Sequence, residues 1–279
     1  MKLTRILTTV ITLSGSLHAA NIDIGTTIST FDTANDTLTN TGGVTNWTAG
    51  WADGTNFTGQ DFSTLGVTAI SFDHAGGNGG GNNYTGVIFD GITLTTGTGN
   101  NYFSNDNFSG ASFAGSTINL LGAGSYGNQP FLGANLTNAD FTGATINYDS
   151  YRASTATQNV NLFRNADLSG ANFTNAMINF DISGTGVNVV DGFFGSGAID
   201  LSGTLFSFTG DAGHIDTVTA AILETFTSLN TYDQDFYDNN FATFGFTDAA
   251  SFAAAVPEPS SLALIGLGAL VMVSKRRKA

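Results

Sequence analysis

The sequence predicts an all-β fold: a solenoid of square coils closed at its C-terminal side by a small helical cap. Three observations carry this. Residues 129–148 read in fives, QPFLG-ANLTN-ADFTG-ATINY, with a large apolar residue at each third place: Phe131, Leu136, Phe141 and Ile146. The same four-beat pattern recurs along the chain. The composition is that of many short strands and turns, with 11% charged residues, 36 Gly, 3 Pro and 23 Phe. A period of five matches neither an amphipathic helix nor an alternating strand. It suits a chain that turns a corner every five residues and buries one large and one small side chain per face. Four faces close a coil, and coils stacked at ~4.8 Å pair their backbones as neighbouring strands do.

The copies define inward columns. The clearest second copy has Phe163, Leu168, Phe173 and Ile178, with Ala166, Ala171 and Ala176 at the small places. Upstream stand Phe103, Phe108, Phe113 and Ile118, then Tyr84, Phe89 and Leu94, then Phe57, Phe62, Val67 and Phe72. A worn last copy keeps Leu201 and Phe206. Aligned by beat, the third column reads Val67, Phe89, Phe113, Phe141, Phe173, Phe206, and the fourth Phe72, Leu94, Ile118, Ile146, Ile178. Identical faces stack into such columns inside a solenoid. Asn119, Asn147 and Asn179 follow the fourth beat and predict an amide ladder. Five to six coils are expected over 56–211. The surplus residues, 121–128, 150–160 and 183–193, are expected to leave from one corner as loops. Removing 154–158 should then barely matter, because loop length enters stability only logarithmically.

The runs ANLTN-ADFTG, ADLSG-ANFTN and NDNFSG-ASFAG resemble the pentapeptide-repeat family, whose pattern is A(D/N)LXX. The resemblance covers roughly 56–208 and implies a right-handed quadrilateral parallel β-helix. This chain departs from the pattern in its frequent central Phe and its inserted loops.

Around this body the chain divides further. Residues 1–20 read as a secretory signal: Lys2 and Arg5, an apolar run, then Leu17-His18-Ala19-Ala20 as a small-residue cleavage site. Residues 21–55 carry a thin apolar alternation and are expected to cover the first coil as one or two strands. Trp47 and Trp51 there read as cap packing, with sugar stacking as the alternative. The glycine run in 75–83 lacks the Lys and helix start of a phosphate loop. Residues 212–255 read as a C-terminal cap over the open strand edge, which would otherwise template aggregation. Its expected helices are 216–230, capped by Asp216, and a short one in 248–255. Asp233, Asp235 and Asp238 between them form a candidate Ca²⁺ loop, although the glycine and terminal Glu of an EF-hand are missing.

The segment 256–279 reads VPEPSSLALIGLGALVMVSKRRKA. Pro257, Glu258 and Pro259 precede an apolar run, and Lys275, Arg276, Arg277 and Lys278 follow it where a cytoplasmic membrane stop would stand. The run 262–273 is shorter than the ~20 residues of an ordinary span. This pattern resembles the PEP-CTERM sorting signal. The resemblance implies a C-terminal transmembrane helix and recognition by an exosortase, a membrane-embedded cysteine peptidase that cleaves near the motif. It also implies a Gram-negative host that makes exopolysaccharide.

Charge narrows the function. Outside residues 1–20 and 256–279 only Arg152 and Arg164 are basic, against twenty-one acidic residues, so the body carries −19 where the whole chain carries −14. Such a body cannot replace phosphate counterions, which excludes nucleic-acid binding. Cysteine is absent, and with it disulfides and thiolate metal sites. His74 and His214 stand far apart, and no Ser sits in a GxSxG elbow. The chain therefore reads as a non-catalytic protein without a cofactor. Its expected role is at the cell surface or in the extracellular matrix, reached through the secretion machinery, transient inner-membrane anchoring and exosortase. Exopolysaccharide is a candidate partner. The alternatives are a glycan- or protein-binding module that uses the inserted loops, and an acidic DNA mimic, which the signal and tail place in the wrong compartment.

Overall fold

The computed structural model describes residues 56–72, 81–96, 102–121, 129–149, 157–183, 194–227 and 229–256, with short strands in 30–49, 151–152 and 186–189. The chain opens with β1 (Thr30–Asp32), β2 (Thr37–Thr39) and β3 (Asn46–Ala49). The fourth faces of successive coils supply β4 (Ala69–Phe72), β5 (Thr93–Thr96), β6 (Thr117–Leu120) and β7 (Thr145–Asp149). Then come β8 (Tyr151–Arg152), β9 (Thr157–Val160), β10 (Met177–Ile182), β11 (Gly186–Val189) and β12 (Leu205–Gly210). A seven-stranded sheet runs β12-β10-β7-β6-β5-β4-β3, all pairs parallel. The other faces pair through single parallel bridges in two series, Asn83–Asn107–Asn135–Asp167 and Ile88–Ser112–Asp140–Asn172. The architecture is a parallel β-solenoid. First-face rings stack through four coils, Phe103, Phe131, Phe163 and Phe194, giving about four full turns with partial coils at either side rather than five to six.

The corners explain the period. In the regular coils each large residue of the first three faces accepts a hydrogen bond from the amide three residues on, as Leu136 does from Ala139 and Phe141 from Ala144. The third residue of each such turn has positive φ: Asn138 at 57°, Gly143 at 64°, Asn175 at 57°. That geometry favours Gly or Asn, which is why these close the fives. The second place carries Asp or Asn because its side chain accepts from the backbone two residues on: Asn135 from Thr137, Asp140 from Thr142, Asp167 from Ser169 and Asn172 from Thr174. Asp140 and Asp167 thus hold corners. Asp90 bonds across to the next coil, accepting from the Ser112 hydroxyl and the Ala114 amide.

Inside, Phe89, Phe113, Phe141 and Phe173 stack as expected, with centroids 5.3, 4.7 and 4.7 Å apart. Both outer coils correct the expected register. Phe62, not Val67, stacks on Phe89 at 4.9 Å, and Ile70, not Phe72, pairs with Leu94. Phe206 leaves the ladder: it pairs with Ile178 in the fourth column, and Leu201 takes the third place through its neighbour Asp200, bridged to Asn172. The cause is a shortened coil. Seven residues separate Phe194 from Leu201 where ten separate Phe163 from Phe173. Gly195 makes the tighter path possible: a Cβ there would lie 1.8 Å from the Ala166 carbonyl oxygen.

The expected amide ladder is present: Asn147 donates to Asn119 and Asn179 to Asn147, each at 2.8 Å. The insertions are more than loops. β9 pairs parallel with β11 and antiparallel with β8, a three-stranded sheet beside the solenoid. Deleting 154–158 would cut into its central strand, so that deletion is not the silent loop shortening expected from the sequence. On the N-terminal side, β1 and β2 form an antiparallel pair and β3 extends the main sheet, one strand more than expected.

Candidate functional site: the sorting segment and the cap that carries it

The cap consists of α1 (Ala212–Thr225), α2 (Gln234–Asn240) and α3 (Ala249–Ala255). Each begins at an Asp whose carboxylate accepts from first-turn amides: Asp211 from Gly213 and His214, Asp233 from Phe236, Asp248 from Ser251. The first helix starts at Ala212, ahead of the expected 216–230, because Asp211, not Asp216, caps it. It stops at Thr225 because Phe226 turns into the core at φ −71°, ψ 125°. Leu229, expected on the helix face, is instead 63% exposed. The second helix has only seven residues, too few to show a period.

The cap terminates the sheet with side chains. Buried Asn240 donates to the Thr204 carbonyl at 2.6 Å and accepts from the Phe206 amide at 2.8 Å, occupying groups a further strand would use. Asp233 accepts from Gly203 at 2.8 Å, and Asn230 accepts from Ile199. Burial raises the Tyr232 phenol far above its ordinary range, although the Asn230 amide partly offsets this. The Ser251 amide and hydroxyl hold Asp248 below the usual carboxylate range.

Of the Ca²⁺ candidates, Asp233 is committed to its helix cap and to Gly203, while Asp238 accepts from Gln234 at 2.8 Å. Among the described residues no three His, Cys, Asp or Glu side chains gather as a metal site. Among them, too, no helix is long and apolar enough to cross a membrane. Pro257, Glu258, Pro259, the apolar run and Lys275, Arg276, Arg277 and Lys278 lie outside the described residues, as do the signal stretch 1–20 and Trp51.

What the structure does place is the residue on which the sorting segment hangs. Val256 is the C-cap of α3, extended at φ −85°, ψ 129°, as a residue before proline prefers. Its amide bonds the Phe252 carbonyl at 3.0 Å and only 2% of its surface is exposed. Phe252 is fully buried and stacks on Phe244 at 5.3 Å and Phe236 at 5.7 Å. The folded body therefore reaches to the residue before Pro257 with no intervening linker. Sequence reading found the motif but not this anchor, since Phe252 lies in an Ala-rich stretch without a helical stripe.

No curated protein matches this chain. One similar solved structure is that of HetL, a pentapeptide repeat protein involved in heterocyst differentiation regulation from the cyanobacterium Nostoc sp. strain PCC 7120. The identity is 14% over 57% of this chain and 73% of that one, with a TM-score of 0.12. At that score the likeness carries no argument, and the solenoid rests on its own geometry. Residues 255–278 match the PEP-CTERM protein-sorting motif, which supports export and sorting through the exosortase pathway toward the cell surface.

Proposed function

We propose that the chain is an exported, non-catalytic surface or matrix protein, a rigid acidic solenoid delivered by a tail that is removed after use. The observation that carries the reading is the sorting-motif match joined directly to a buried anchor at Val256. In this reading 1–20 directs export and the apolar run 262–273 halts transfer. Lys275 to Lys278 remain cytoplasmic, because each Lys or Arg costs about 2.5–3.5 kcal/mol at mid-bilayer. Pro257 and Pro259 cannot continue a helix, which leaves the motif open to a peptidase. A peptidase binds its substrate extended, and Val256 is packed into the cap. The released body therefore keeps Val256 and ends beyond it.

The test replaces Pro257, Glu258 and Pro259 with alanine in a host that carries an exosortase. Size, location and C-terminal mass are then followed. The variant is expected to stay membrane-bound and untrimmed, while the parent is released with Val256 retained. Equal trimming and release of both would reduce the tail to a plain anchor.

A further inference from the structure

The outward side of the seven-stranded sheet has a composition that neither core packing nor sorting requires. Strand register aligns Thr93, Thr117, Thr145 and Met177 in one stripe and Asn119, Asn147 and Asn179 in a second, two residues further along each strand. Neighbouring rungs are ~4.8 Å apart and the stripes ~6.7 Å apart. From β4 to β12 neither stripe contains a charged residue, although the body around them carries −19 and the paired Asp149 and Asp181 stand two residues beyond Asn147 and Asn179. The first stripe offers methyl groups and a thioether, and Met177 is 39% exposed. In the second, the ladder uses one N–H and one carbonyl lone pair of Asn147, so each interior amide keeps a second N–H and a second lone pair. The backbone beneath is immobilised by the buried Leu94, Ile118, Ile146 and Ile178 column.

We propose that this face binds an uncharged, extended polysaccharide laid along the solenoid axis. The ligand must repeat, because the site repeats at the coil spacing, and an extended β-linked glucan places successive sugars at a similar interval. Each sugar has an apolar C–H surface and hydroxyls that both donate and accept, which matches a methyl stripe beside a stripe of amides. The two stripes hold neither a cation to pair with an acidic polymer, which the field of the body would also repel, nor a carboxylate to pair with a basic one, and this favours an uncharged chain. A rigid array loses little entropy on binding, and repeated weak contacts along one chain add up to useful avidity. The site is separate from the inserted loops and from the sorting segment, so it stands or falls independently of export.

The experiment is co-sedimentation of the purified chain with swollen cellulose and with curdlan, β-1,4- and β-1,3-linked glucans, and with calcium alginate beads as the acidic comparison. Thr117→Glu with Thr145→Glu places two charges in the methyl stripe. Ser109→Glu with Thr137→Glu adds the same charge on another face, where the backbone amides of both residues keep their corner bonds and only the Thr137 hydroxyl's bond to Asp167 is given up. Thermal unfolding of both pairs checks that the coils remain folded. The parent and the Ser109/Thr137 pair are expected to bind at least one neutral glucan alike, with at least tenfold weaker binding by the Thr117/Thr145 pair and none to alginate. Binding to neither glucan, equal binding by the two pairs, or retention on alginate alone would overturn the proposal.

Discussion

Phe141→Ala is the sharpest probe of the solenoid interior. Phe141 has no exposed surface and lies between Phe113 and Phe173, each centroid 4.7 Å away, with planes within 3° and 6° of parallel. Removing a buried ring ordinarily costs about 3–5 kcal/mol, cavity included. The two stacked pairs contribute ~0.5–1.5 kcal/mol each beyond area burial, which places this site at the upper end, about 4–5 kcal/mol. Coils touch only their neighbours, so the cavity also weakens coupling between the two halves of the stack. Urea unfolding followed by circular dichroism reads both effects, as a lower midpoint and a shallower slope. Met177→Ala, on the outward side of the adjacent coil, is the control and should stay within ~0.5 kcal/mol. A loss below ~1.5 kcal/mol for Phe141→Ala at unchanged slope would refute the stacked-column core. Equal losses at the two positions would refute it as well.

Three further outcomes follow from the same geometry. Asn240→Ala should cost ~2–4 kcal/mol by leaving the Thr204 carbonyl and Phe206 amide without partners, and should promote concentration-dependent assembly, visible by light scattering, at the opened edge. Gly195→Ala should cost ~2–3 kcal/mol or more by thermal melting because its Cβ meets the Ala166 carbonyl, whereas Gly143→Ala, with open space but φ +64°, should cost only ~1–2 kcal/mol. The Ser169 hydroxyl and amide hold the Asp167 carboxyl below its usual range, so its stabilising contribution is present above the unfolded value and lost as pH falls below about 4. Asp167→Asn keeps an acceptor for Ser169 and should flatten that acid limb in pH-dependent unfolding.

The sequence alone determined what is local. A corner every five residues needs Gly or Asn at positive φ and is held by an Asp or Asn acceptor ahead of it, and both are written into the clearest repeats, such as ANLTN-ADFTG. So are the central Phe ladder from Phe89 to Phe173, the Asn119–Asn147–Asn179 amides and the sorting motif at the C-terminal side. Only the tertiary structure decided the outer coils, where the pattern wears out and hydrogen bonds to the neighbouring coil set the register. That is how Ile70 displaced Phe72, and how the close approach at Gly195 moved Phe206 into the fourth column. The cap was likewise beyond periodicity. Asn240 reaches Thr204 and Phe206 across more than thirty residues of chain, and Val256 is buried by Phe252 and its ring partners rather than by any feature of its own neighbourhood. Contacts between residues distant in sequence leave no local period to read, and those contacts close the solenoid and fix the point from which the sorting segment departs.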